Sequence, residues 1–278
     1  VQPAQQWQRG VEQAAQIAPD ARIVVLDVKS GSLLAAHRRN EAARTLAAPG
    51  STLKPLVLYS LLTEGRWSAE QRVACDRKLM VAAHRLACTH PAAPPFNARE
   101  ALTWSCNSYF AQVARTLPQG ELGKLLRATG LLDITGLGQP EAMAAFREPR
   151  TPDETVLALL GVEGIRVTPF EMAEAYRWLA QQLDEHRGTQ AAEPVRAALQ
   201  DSSSFGMAAG AAVGSVPVAG KTGTAEGAAS SRTHGWFAGF APAGNPQVVV
   251  VVYMPAGRGA DAAHVAGELL KRALAEHP

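Results

Sequence analysis

A chain of 278 residues, 47% hydrophobic and 19% charged, can bury a large core, which excludes a disordered polymer. The formal net charge is +2 with basic residues scattered, so no basic stripe for nucleic acid is present. No stretch approaches the roughly 18 apolar residues that span a bilayer.

Residues 4–17 alternate Gln and Ala around Trp7, Val11 and Ile17, the pattern of an amphipathic helix. Residues 23–26 and 33–36 read as strands joined by the hairpin signal Ser30-Gly31-Ser32. After the turn signal Pro49-Gly50, a helix is expected from Ser51. Its apolar run is Leu53, Leu56, Val57, Leu58, Leu61 and Leu62, and Pro55 falls in its first turn, where proline is tolerated. From about 64 to 195 the pattern is mainly helical, broken by prolines at 91, 94, 95, 118, 149, 152 and 169. Within it, 170–182 is amphipathic, and its Met172, Tyr176 and Leu179 read as core. The alanine-rich stretch 206–214 suggests a helix ending in a turn. Strands follow near 216–224, 234–240 and 247–254, with a turn composition at 227–231, and a closing helix at 265–276. Strands at both ends predict one domain, 1–278, of α+β class. Its sheet part comes from about 1–63 and 196–278, with a helical lobe inserted at about 64–195 and a cleft between them.

Three short motifs fall at this cleft. Ser51-Thr52-Leu53-Lys54 places a hydroxyl and an amine three apart, on one helical face. A serine is a weak nucleophile until a base takes its proton. Lys54 can do so if burial and a second cation lower its pKa, and Lys221 is the obvious second cation. The bland alternative is an N-cap serine beside a surface lysine. In Ser105-Cys106-Asn107, two polar residues two apart suit a loop or a helix start, and Ser105 could pass a proton onward. Here an N-cap role is compatible with a catalytic one. Lys221-Thr222-Gly223-Thr224 reads as a strand along a sheet edge, able to pair with an extended peptide and clamp its carboxylate. A phosphate-binding loop would need a glycine at 215, where Ser215 stands, and a helix directly afterwards. Each motif is weak alone; together, in this order, they describe a serine acyl-transfer site.

The three cysteines are Cys75, Cys88 and Cys106. A Cys75–Cys88 disulfide would close a short loop, worth on the order of 3 kcal/mol in the chain-entropy model, and would leave Cys106 single. A zinc site from Cys75, Cys88, His84 and His90 fits no standard spacing, so no metal and no cofactor are assigned. Cys106 is disfavoured as a nucleophile because Ser51 already has a base at the required spacing.

These segments resemble the transpeptidase domain of class B penicillin-binding proteins, in the superfamily shared with serine β-lactamases. The similarity runs through the opening hairpin 22–35, the nucleophile segment 48–55, the second motif with its flanks 100–110, Gly164-Ile165-Arg166-Val167-Thr168-Pro169, the third motif 219–226 and its partner strand 236–242. Val162 stands where the resemblance leads one to expect the first glycine of a pair. The resemblance implies an antiparallel sheet flanked by helices, with an all-helical inserted lobe. It implies that Ser51 attacks D-Ala-D-Ala stem peptides or β-lactams, with Lys54 as base and Ser105 and Lys221 as proton relay. Asn107 would hold Lys54 and a substrate amide. Backbone N–H groups of Ser51 and Thr224 would form an oxyanion hole. Lys221, Thr222 and Thr224 would receive the carboxylate, with Gly223 letting the strand twist. It further implies peptidoglycan and cell-wall synthesis proteins as partners, no nucleic acid, and an extracytoplasmic location reached through a removed leader or anchor. The spacing of 116 residues between Ser105 and Lys221 also suits class D β-lactamases and β-lactam sensor domains, which stay as alternatives beside a non-catalytic scaffold. The sequence does not choose between an amine and water as acyl acceptor.

Overall fold

The computed structural model describes residues 3–214, 216–226 and 232–274. The chain opens with α1 (Pro3–Ile17), β1 (Arg22–Asp27), β2 (Leu33–His37) and a short α2 (Arg39–Ala42). A 3-10 turn, Gly50–Leu53, leads directly into α3 (Lys54–Thr63), with Pro55 in its first turn as expected. Next come β3 (Lys78–Val81), β4 (His84–Ala87), α4 (Ala98–Thr103), α5 (Asn107–Arg115), α6 (Glu121–Ala128), β5 (Ala145–Phe146), α7 (Pro152–Leu159) and β6 (Ile165–Arg166). The chain then runs through α8 (Pro169–Glu185), α9 (Ala192–Ser204), β7 (Ala219–Glu226), β8 (Thr233–Ala241), β9 (Val248–Met254) and α10 (Gly259–Leu274).

One antiparallel sheet in the order β2-β1-β9-β8-β7 joins the two ends of the chain. Its period-2 alternation feeds two cores. Val24, Leu26, Val249, Val251, Trp236 and Phe240 face the helices of the central segment. Ile23, Val25, Phe237, Val250 and Val252 face α1 and α10. Because β9 is covered on both faces, it reads as an unbroken valine run. The third motif lies on β7, an edge of this sheet.

The structure corrects two expectations. The central segment is not all helical, since β3 pairs with β4 and β5 pairs with β6. In β3, Leu79 and Val81 turn inward while Lys78 and Met80 face out. Four residues are too few for that alternation to stand out in sequence. The helix expected at 206–214 is only one 3-10 turn, Ala209–Ala211. Gly210 there is a close-approach residue, where a Cβ would lie 3.0 Å from His264 N. The true helix is α9, whose Pro194 sits in the first turn and so breaks nothing. The turn expected at 227–231 lies outside the described residues.

Candidate active site

The turn that carries Ser51 is held by three neighbouring segments and by one bond of its own. His234 Nε2 and Trp236 Nε1 both reach the carbonyl of Ala48, at 2.8 and 2.9 Å. Gly50 N–H donates to Gly161 O at 3.0 Å. Thr52 Oγ1 donates to Pro49 O, and the hydroxyl of buried Tyr176 donates to Thr52 O at 2.9 Å. Gly161 has φ +67°, and a Cβ there would lie 2.3 Å from Gly50 O. The glycine expected at 162 is thus supplied one position earlier, for close backbone approach. Ser51 itself is half buried, and its Oγ has no hydrogen-bond partner among the described residues.

Lys54, one turn on, is fully buried. Its Nζ donates to Asn107 Oδ1 at 2.7 Å, Ser105 O at 2.9 Å and Ser105 Oγ at 3.3 Å. Lys221, also fully buried, donates to Ser105 Oγ at 2.8 Å and Thr222 O at 3.0 Å. All these acceptors are neutral. Burial pulls Lys54 down to about 8, partly opposed by the nearby thiols. Burial and then the charge of Lys54 push Lys221 well below its ordinary value. Two buried ammonium ions on one hydroxyl repel, so near neutrality the pair is best described as sharing one positive charge. In that state Ser105 Oγ accepts from the charged amine and donates to the lone pair of the neutral one, a ready proton path.

The second motif owes this position to backbone geometry. Ser105 holds φ +57°, a left-handed conformation that costs roughly 1–2 kcal/mol for a non-glycine residue. Cys106 is the N-cap of α5 and Asn107 its first residue. The Asn107 side-chain amide also donates to Leu86 O at 3.4 Å and Ala87 O at 3.3 Å, tying it to β4.

On β7, alternation divides the third motif. Lys221 and Gly223 face the turn that carries Ser51, and a Cβ at Gly223 would lie 2.5 Å from Pro49 O. Thr222 and Thr224 face the start of α10. Gly259 N–H donates to Thr224 Oγ1 at 2.9 Å, while the hydroxyl of buried Thr222 makes a long 3.5 Å contact with Met207 O. Thr224 is exposed, and because its hydroxyl already accepts one bond, its proton remains available to a ligand. Ser51, Asn107 and Thr224 line an open cleft of about 1160 Å³ that also includes Arg85, Arg166 and Glu163. Lys54 and Lys221 are buried beside them, and Ser105 between the two is partly exposed.

The expected Cys75–Cys88 disulfide is absent, and Cys106 is not isolated. All three thiols are unbonded and meet His90, with their ligand atoms within 4.8 Å of one another. The β3–β4 hairpin brings Cys88 back against the N-terminus of α5, where Cys106 already sits, so all three thiols share one spot. His84 is elsewhere, paired with Glu163 at 2.8 Å. The Cys88 thiol is held well below its usual range by its hydrogen bond with Cys106, and the Cys106 thiol is raised by the same bond.

Sequence reasoning did not anticipate the supporting roles of Gly161, Tyr176, His234 and Trp236. The alternation of β8 signals only that His234 and Trp236 share a face, and nothing local marks Tyr176 as more than core.

A family model described as the penicillin binding protein transpeptidase domain matches residues 21–275. Two solved structures are similar over nearly the whole chain. One is a peptidoglycan glycosyltransferase from Burkholderia ambifaria, with TM-score 0.85 and 22% identity, covering 99% of this chain and 95% of that one. The other is the apo TP domain of Burkholderia pseudomallei penicillin-binding protein 3, with TM-score 0.85 and 21% identity, covering 99% and 94%. At these identities the likeness is one of fold.

Proposed function

The chain belongs to the penicillin-binding protein transpeptidase family, and we propose that within it the protein is a serine D,D-transpeptidase acting on peptidoglycan stem peptides. The observation that carries this reading is the hydrogen-bonded Lys54–Ser105–Lys221 chain, both lysines buried, one turn from Ser51. Ser51 Oγ attacks the carbonyl carbon of the penultimate D-Ala, and its proton passes to neutral Lys54. The carbon–nitrogen bond then breaks. A proton returned through Ser105 and Lys221 completes the amine of the departing D-Ala. An amine that attacks the resulting ester gives a cross-link; water gives hydrolysis.

The closeness of β7 to the nucleophile turn supports the pairing of Ser51 and Thr224 amides as an oxyanion hole, since a Cβ on Gly50 would lie 3.1 Å from Thr224 N. Asn107 holds Lys54 and is exposed to the cleft for a substrate amide. Thr224 and Lys221 receive the terminal carboxylate, with Thr222 behind them. The whole chain acts as one domain whose sheet and helical parts meet at this cleft, and β-lactams acylate the same serine. Peptidoglycan lies outside the cytoplasmic membrane, so the proposed site of action is extracytoplasmic. No helix among the described residues is long and apolar enough to cross a membrane.

The test is incubation with a blocked stem peptide ending in D-Ala-D-Ala, with and without a D-amino-acid acceptor, alongside a chromogenic cephalosporin. Release of D-Ala with acyl transfer to the acceptor supports the proposal. Rapid cephalosporin turnover without peptide activity would replace it by a β-lactamase.

A further inference from the structure

We propose that Cys75, Cys88, His90 and Cys106 bind one structural Zn²⁺ ion in a tetrahedral Cys₃His site beneath the second motif. The inference is independent of the reaction assigned to the cleft. It rests first on geometry. The three sulfurs and one imidazole nitrogen lie within 4.8 Å of one another. Zinc bonds of about 2.3 Å to sulfur and about 2.0 Å to nitrogen set tetrahedral ligand atoms roughly 3.5–3.8 Å apart. The Cys75 Sγ to His90 Nε2 separation is already 3.4 Å. Small side-chain rotations bring the remaining atoms into place.

The surroundings are those of a metal site. His90 Nδ1 donates to Pro91 O at 2.8 Å, which fixes the tautomer and leaves the lone pair of Nε2 directed at the sulfurs. The ring is 2% exposed and packs edge-on against Phe96. Asn107 N–H, at the start of α5, donates to Cys88 Sγ at 3.2 Å, a bond that a metal-bound thiolate accepts well. Cys88 and Cys106 are buried and Cys75 is partly exposed, which gives an entry side. Four N and S donors close the coordination sphere, so no position stays open for water or substrate, and such soft donors suit zinc over magnesium or calcium. Three thiolates around Zn²⁺ leave a net charge of −1 on the complex.

The placement gives the site a purpose. Cys106 stands between Ser105 and Asn107, both bonded to Lys54. A metal that joins Cys106 to Cys75 and to the Cys88–His90 segment would clamp the loop in which Ser105 keeps its left-handed φ. It would also keep three clustered thiols from oxidising to a disulfide. The sequence hid this arrangement because the fourth ligand is Cys106, and His84 takes no part.

The whole chain, purified with reductant and Zn²⁺ and freed of unbound metal, should carry one zinc per chain. Co²⁺ loading should give thiolate-to-metal charge transfer and the strong visible bands of a tetrahedral thiolate site. A zinc chelator should lower the unfolding midpoint, and Zn²⁺ but not Mg²⁺ should restore it. Ser51→Ala should keep full zinc content, whereas His90→Ala and Cys106→Ser should each reduce it severalfold. Three metal-free thiols, a mapped Cys75–Cys88 disulfide, or zinc retained in both ligand variants would overturn the proposal.

Discussion

Lys221 Nζ lies 2.8 Å from Ser105 Oγ, although 116 positions separate the two residues in sequence. Lys54 Nζ approaches the same hydroxyl at 3.3 Å. One partly buried serine therefore stands between two fully buried amines that share a charge. Such an arrangement is costly for structure alone, since no carboxylate pairs with either amine among the described hydrogen bonds. It is well suited to moving a proton.

Acylation of Ser51 by a β-lactam should speed up as pH rises and level off above about 8, where Lys54 loses its proton. Two units below that value only about 1% of Lys54 is neutral, so the rate should be roughly a hundredfold under the plateau. Lys54→Arg should be nearly inactive across this range, because a guanidinium stays protonated. Rates read from a fluorescent penicillin test both points. A flat wild-type profile, or an active arginine variant, would remove Lys54 as the base.

Asn107→Asp places a carboxylate where Lys54 now donates at 2.7 Å. An opposite charge this close stabilises the ammonium, so the alkaline limb should move up by about 1–3 pH units and activity near neutrality should fall. The same pH–rate measurement reads the shift. An unchanged limb with only a lower plateau would mean that Asn107 holds the loop and does not tune the lysine.

Gly161→Ala should slow acylation sharply and cost at least about 2 kcal/mol of stability, from the left-handed φ and the collision with Gly50 O. Gly65→Ala is the control: its φ is +65° with nothing within 4 Å of the added Cβ. That variant should lose only about 1–2 kcal/mol and acylate normally. Thermal unfolding and acylation rates distinguish them. Equal behaviour of the two would sink the role of Gly161 in holding the nucleophile turn.

The motifs were legible because each is read within one local element. Ser51 and Lys54 lie one turn apart, and Lys221 to Thr224 lie on one strand, so spacing alone gives their relation. The flanking strands 23–26 and 248–252 were legible as short unbroken apolar runs, and the helix at 170–182 from its amphipathic period. Other features depend on contacts distant in sequence. Ser105 takes a positive φ that no composition signals. Gly161 matters because Gly50 lies against it. Cys106 joins Cys75 and Cys88 only through the β3–β4 hairpin, whose four-residue strands alternate too briefly to be seen.

Thr224→Val removes an exposed hydroxyl but keeps the backbone N–H assigned to the oxyanion hole. Acylation by carboxylate-bearing β-lactams should weaken by about 1–2 kcal/mol, while a thioester substrate amidated at its carboxyl end should react almost as before. Thr224→Ser should restore most of the loss, because it keeps the bond from Gly259 N–H. Equal losses on both substrates would show that Thr224 shapes the hole and does not read the carboxylate.

The most direct measurement is mass spectrometry of the intact chain after brief exposure to penicillin, followed by peptide mapping. The geometry predicts one long-lived adduct per chain on Ser51, lost in Ser51→Ala. No adduct, an adduct on Ser105 or Cys106, or drug consumed without accumulated adduct would contradict it.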